Sequence, residues 1–124
     1  MIKSEFIGNI IEMTIEGEKF ETQLMNQINL LTESKSEHTN VGIYIYFKPE
    51  VGIEKHRLSS LQLEEMFGDF NQELTKFELI NDSQKILADV SVHFSNGIIE
   101  CVEICNKLGV YPKTELLTYE LKRI

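Results

Sequence analysis

The stretch Ile86 to Cys105, ILADVSVHFSNGIIECVEIC, consists of two apolar runs hinged on Ser95-Asn96-Gly97-Ile98. A type I′ turn requires positive φ at both central residues, and asparagine and glycine tolerate it best, so the sequence predicts a β-hairpin here. A two-residue loop also sets the register. It pairs Phe94 with Ile99, Val92 with Cys101 and Val90 with Glu103 on one face, and His93 with Glu100 and Ser91 with Val102 on the other. Glu103 then lies among Phe94, Val92 and Val90, where a carboxylate without a partner is costly. Three resolutions are open: a sheet edge, a bulge that turns it out, or contact with a basic partner.

The rest of the chain is read around this hairpin. Phe6, Ile7, Ile10 and Ile11 recur at helical spacing after Ser4, a possible N-cap, and predict a short helix from Ser4 to Met13. Phe20, Leu24, Ile28 and Leu31 give a second helix one apolar face, ending before Leu31. Leu30 to Glu37 reads as an edge strand and Val41 to Lys48 as a clear strand, with Val41, Ile43, Ile45 and Phe47 facing one way and Tyr44 and Tyr46 the other. Pro49 ends it, since proline cannot donate to a ladder. Glu50 to Ser60 reads as a loop. Leu61 to Leu74 is expected to hold a strand or bent segment beginning near Met66, with helix the alternative for Leu61 to Phe67. Lys76 to Ile80 is a further apolar piece, Asn81-Asp82-Ser83 a turn, and Leu116 to Ile124 a last strand with one polar face. The sum is one α+β domain over residues 1–124: N-terminal helical segments packed on one antiparallel sheet of about five or six strands, with the Asn96-Gly97 hairpin at its centre.

A chain of 124 residues can bury roughly two thirds of its unfolded surface, enough for a core without disulfides or metals. No run approaches the roughly 18 apolar residues of a membrane span. The start, MIKSEFIGNII, makes a poor signal peptide, which places the expectation in the cytoplasm. Cys101 and Cys105 lie four apart on one proposed strand, so their Cα atoms stand roughly 13 Å apart, beyond disulfide reach. They read as buried thiols of a reducing compartment.

Twenty acidic residues against twelve basic ones give a formal charge of −8 at pH 7, which opposes binding to nucleic-acid backbones and anionic membranes and favours a basic protein partner. The segment Glu64 to Asp89 is the acidic centre. His38, His56 and His93 share no metal-ligand spacing, so no metal and no cofactor is expected. There is no GxSxG, no glycine-rich phosphate loop and no paired CxxC, which disfavours an enzyme. The best polar constellation is His93 opposite Glu100. It could serve a small hydrolase as general acid and base, although a surface ion pair is the commoner outcome.

The order QINLLTESKSEHTNVGIYIYF, FGDF, SVHFSNGIIECVEI and GVYPKTELLTYEL resembles a family of small, mostly uncharacterised bacterial single-domain proteins. Its pattern is a TGVGFFT-like segment, a short GDV strand, a hydrophobic hairpin and a final YP segment. Thr39, Gly42, Phe47, Gly68, Asp69, Gly97, Glu103, Tyr111 and Pro112 occupy the matching positions. Asn40 stands where that family usually has glycine, and Ile43-Tyr44 where it has two phenylalanines. By type, the chain is also similar to the immunity proteins of contact-dependent growth inhibition and other polymorphic toxin systems. That likeness implies a cytoplasmic, non-enzymatic inhibitor of one cognate toxin domain, a basic nuclease above all, whose active site it occludes. On this reading Glu64, Glu65, Asp69 and Glu73 face the toxin, with Tyr44, Tyr46 and Glu103 as secondary contacts. A homodimeric interaction module, joined through a sheet edge or the tyrosine face, is the alternative.

Overall fold

Two of the three α-helices start on a capping serine. In the computed structural model, which describes residues 1–124, helix α1 (Glu5–Ile15) is capped by Ser4, whose Oγ accepts from the Ile7 N–H at 3.1 Å. Its stripe of Phe6, Ile7, Ile10, Ile11 and Ile15 is buried, each side chain contributing about 2 kcal/mol by leaving water. Helix α2 (Glu21–Ile28) follows a turn in which Phe20 adopts φ 62°, ψ 27°, a left-handed conformation that costs a side-chain-bearing residue about 1 kcal/mol. Helix α3 (Ser60–Phe67) opens on a capping box: Ser59 Oγ accepts from the Gln62 N–H, and Gln62 Oε1 accepts from the Ser59 N–H. Gly68, at φ 58°, ends it.

Six strands form one antiparallel sheet: β1 (Leu31–His38), β2 (Gly42–Pro49), β3 (Glu73–Asn81), β4 (Ile86–Ser95), β5 (Ile98–Asn106) and β6 (Glu120–Arg123). Their spatial order is β1-β2-β5-β4-β3-β6, which puts the hairpin β4–β5 at the centre. On one face Val90, Val92, Phe94, Ile99, Val102 and Ile104 meet α1 and α2 in a single core, and Phe67 of α3 reaches the same side, its ring 5.4 Å from that of Phe94. The opposite face carries no helix. No helix is long and apolar enough to cross a membrane.

The hairpin turn has the expected backbone, with Asn96 at φ 52° and Gly97 at φ 78°. It is also clamped. Gln27 of α2, fully buried, donates from Nε2 to the carbonyls of Gly97 and His56 at 2.8 Å each and accepts the Ile99 N–H on Oε1 at 2.9 Å. Leu58 N–H donates to Gly97 O at 3.0 Å, and Arg57 Nη1 donates to Asn96 O. A Cβ on Gly97 would stand 2.2 Å from Leu58 O, so glycine is needed both for φ and for space.

Beyond Phe94–Ile99, which pair as the two-residue loop requires, the register departs from strict alternation. A bulge places Glu100 outside the ladder, and His93 then faces Cys101, Val92 faces Val102 and Ser91 faces Glu103. The predicted pairs Val92–Cys101, Val90–Glu103, His93–Glu100 and Ser91–Val102 therefore do not form. One extra residue flips every later side chain on β5 to the other face, so Glu103 leaves the apolar side. The strand expected near Met66 is also corrected: Leu61 to Phe67 is helix, because Ser59 and Gln62 cap it, and β3 begins only at Glu73. At the C-terminus only Glu120–Arg123 pairs, with β3. Leu117 is fully exposed, whereas Tyr119 packs edge-on against Phe6 at 4.8 Å. Of the two thiols, both free, Cys101 is buried but Cys105 is exposed, since Cys105 lies opposite Gly42, which has no side chain to cover it.

Candidate functional site

Four adjacent strands each place one polar side chain in a row across the uncovered face: Tyr44 on β2, Glu103 on β5, His93 on β4 and Glu73 on β3. Tyr44 Oη donates to Glu103 Oε2 at 3.0 Å. His93 Nε2 lies 2.8 Å from Glu103 Oε1, and its Nδ1 lies 3.2 Å from Glu73 Oε2. Each imidazole nitrogen thus faces one carboxylate oxygen, so three polar contacts in a row join the four strands. The hydrogen bond to Glu103, and next the charge of that carboxylate, push the Tyr44 phenol above its ordinary range.

The surroundings continue this pattern of internal pairing. Tyr46 stacks beside Tyr44 with centroids 6.3 Å apart, and Lys35 Nζ lies 5.0 Å from the Tyr46 ring, a cation–π contact. Thr75 and Ser91 share a hydrogen bond of 2.6 Å. Lys107 lies 2.6 Å from Glu78 and 3.1 Å from Asp89, and hydrogen bonds to these two carboxylates raise its pKa. Burial, followed by the charges of Glu100 and Glu103, pushes the Cys101 thiol up to about 12, which keeps it from forming the nucleophilic thiolate. Glu73, His93 and Glu103 each offer a ligand atom within 4.8 Å of the others. A cation there would have to displace the His93–Glu103 contact.

The other predicted residues lie elsewhere. Glu64 and Glu65 are exposed on α3, and Asp69 is exposed in the turn that leads through Phe70, Asn71 and Gln72 to Glu73. Glu65 makes a loose pair with Lys19 at 3.6 Å. The carboxylates of Glu64 and Asp69 have neither ion-pair nor hydrogen-bond partner within the molecule. Two apolar side chains of this segment stand out into solvent, Leu61 in the first turn of α3 at 79% and Phe70 beyond its end at 86% exposure. Between α3 and the start of α2 a shallow depression is lined by Phe20, Leu61, Gln62, Glu64 and Glu65. No family model, curated protein or solved structure matches this chain.

A groove of about 360 Å³ lies between the start of α1, the β1–β2 pair and the segment around Tyr111 to Glu115, with Ile43, Ile45 and Ile104 in its lining. Its acids are already engaged. Glu33 accepts from the Lys3 and Ser4 N–H groups at 2.8 Å, and Glu115 accepts from Ser4 Oγ at 2.7 Å. Burial works against the Glu33 charge, but those backbone donors outweigh it and hold its carboxyl below the usual range.

The structure thus brings Tyr44, Tyr46, Glu73 and Glu103 onto one face and leaves Glu64, Glu65 and Asp69 on a ledge at α3. His93 belongs to the first group, through Glu103 and Glu73, whereas Glu100 belongs to neither. Sequence reasoning missed Gln27, Phe20, Leu61 and Phe70. A signal for the bulge was present: inward-facing Ile99 and Val102 differ in phase, and the misfit of Glu103 is the same fact seen from the other side. Nothing in sequence announces that Phe70 is exposed, because an aromatic residue between acids is equally compatible with a core position.

Proposed function

We propose that this protein is a cytoplasmic immunity protein that binds a cognate bacterial toxin domain and blocks its active site without turning anything over. The observation that carries this reading is the exposed, unpaired pair Glu64 and Asp69, on a segment from Leu58 to Thr75 that contains no lysine or arginine. A surface of this kind attracts a basic domain, and a nuclease cleft, built to receive phosphates, is the basic surface that toxic effectors most directly offer. The row Tyr44–Glu103–His93–Glu73 fits a structural role in such a binder, because its polar groups pair with one another across four strands. The reading extends the likeness of type noted in the sequence and adds a surface to it.

The test is direct. The purified protein is mixed with the basic effector domains encoded beside its gene, and binding is followed by calorimetry while nuclease turnover is assayed with a fluorogenic nucleic acid. One-to-one binding with loss of turnover is expected. If none of the adjacent products is bound, the immunity reading fails.

A further inference from the structure

Two acidic surfaces are available, and their chemistry differs. On the open sheet face four carboxylates already have partners inside the molecule: the two ring nitrogens of His93 lie against Glu73 and Glu103, and Lys107 lies between Glu78 and Asp89. A partner's arginine would have to compete with contacts already made. On the α3 ledge the carboxylates of Glu64 and Asp69 are free, Glu65 is held only by Lys19 at 3.6 Å, and the nearest basic residues in sequence are Arg57 and Lys76.

The ledge also carries apolar side chains that stand well out into solvent, Leu61 and Phe70, whereas Tyr44 and Tyr46 on the sheet face are half-buried and stacked on each other. Leu61 and Glu64 and Glu65 follow one another at spacings of three and four, which places them on one side of α3, while Phe67 points to the core against Phe94. Leu61 and Phe20 line the depression, and Glu64 and Glu65 rim it. Phe70 stands almost fully exposed one residue after Asp69. An arginine or lysine has the matching shape, an apolar stem to lie along Phe20 and Leu61 and a cationic head to reach the carboxylates.

We infer that the α3 ledge, comprising Phe20, Leu61, Glu64, Glu65, Asp69 and Phe70, is the docking surface for a basic protein partner that inserts an arginine or lysine into the Phe20–Leu61 depression and rests an apolar side chain on Phe70. The open sheet face is then the support behind the interface and not the interface itself. The assignment deepens the toxin-binding reading, on which it rests for the identity of the partner. Exposed aromatic and aliphatic anchors inside a charged rim are where a few residues carry most of an interface's energy.

Two measurements test it. In the first, the 15N-labelled protein is titrated with the peptide acetyl-Arg-Leu-Arg-amide at millimolar concentration and amide shifts are followed by NMR. Saturable shifts are expected at Phe20, at Leu61 to Glu65 and at Asp69 and Phe70, and they should vanish in the Leu61→Ser/Phe70→Ser variant. Shifts at Tyr44, His93 and Glu103 instead, shifts spread over all acidic residues, or no saturable shift at all would overturn the assignment. In the second, the adjacent effector domain is bound by the wild type, by the same double variant and by Glu103→Gln. The double variant should weaken binding at least tenfold and Glu103→Gln less than threefold. Both substituted side chains of the double variant are exposed, so its fold should be unchanged by circular dichroism. An effector bound equally well by the double variant overturns the ledge and leaves neutralisation standing. Peptide shifts on the ledge with no effector bound would do the reverse.

Discussion

Gly97 is the residue on which the centre of the molecule turns, and two independent constraints fall on it. Its φ of 78° excludes most side chains, and an added Cβ would stand 2.2 Å from Leu58 O, a backbone atom that cannot swing aside. Gly97→Ala must therefore break the Leu58 N–H and Gln27 contacts to the Gly97 carbonyl or distort the turn. A loss of about 3 kcal/mol is expected, from backbone strain and two lost hydrogen bonds together, read as a lowered urea midpoint at unchanged slope. The cysteines make a second residue-scale prediction. Burial first, and then neighbouring Glu100 and Glu103, raise the Cys101 pKa to about 12, whereas Cys105 is exposed. A disulfide reagent at pH 8 should titrate one thiol quickly in the native protein and two in denaturant, and Cys105→Ser should abolish the fast phase. For stability the sign follows from the raised value. The contribution of a neutral Cys101 is complete below pH about 9, where the unfolded thiol titrates, and is lost as pH rises toward 12.

At the scale of elements, most of the layout was legible because period and capping chemistry agree with the tertiary structure. The α1 stripe, the Tyr44/Tyr46 phase of β2 and the Asn96-Gly97 turn all follow from local rules. The row Tyr44–Glu103–His93–Glu73 was not legible as a whole: the misfit of Glu103 hinted at a bulge in β5, but its place at Glu100 and the start of β3 at Glu73, which decide the partners, are set by pairing between strands. The ledge was half legible: its acids were named, but the exposure of Leu61 and Phe70 is decided by where α3 packs. The row carries its own prediction. Glu103 raises the Tyr44 pKa, first by accepting its hydrogen bond and second by its charge, so Glu103→Ala, which takes away acceptor and charge together, removes both causes. In an alkaline titration followed by phenolate absorbance, one tyrosine should move to lower pH in the variant. Tyr111, pushed to about 12 by burial, should remain the last to ionise. If all four transitions stay in place, the Tyr44–Glu103 contact does not hold the phenol proton in solution.

For the whole molecule, charge and shape act on different parts of an association. The net charge of −8 sets up a field that draws in a basic domain, but at physiological ionic strength that field reaches only about 8 Å, so the acids that steer are those next to the contact. Apolar anchors act after encounter, by excluding water and slowing escape. The ledge therefore predicts a kinetic separation between its two kinds of residue. With the effector domain on a biosensor surface, Glu64→Gln/Asp69→Asn should lower the association rate about fivefold or more at low salt and change the dissociation rate little. The difference from wild type should close as salt approaches about 1 M, where the screening length is about 3 Å. Leu61→Ser/Phe70→Ser should do the opposite, raising the dissociation rate about tenfold at every salt concentration while leaving association within about twofold. If both double variants altered the same rate with the same salt dependence, acids and anchors would not be acting as the rim and centre of one interface, and the proposed basic partner would have to approach by another surface.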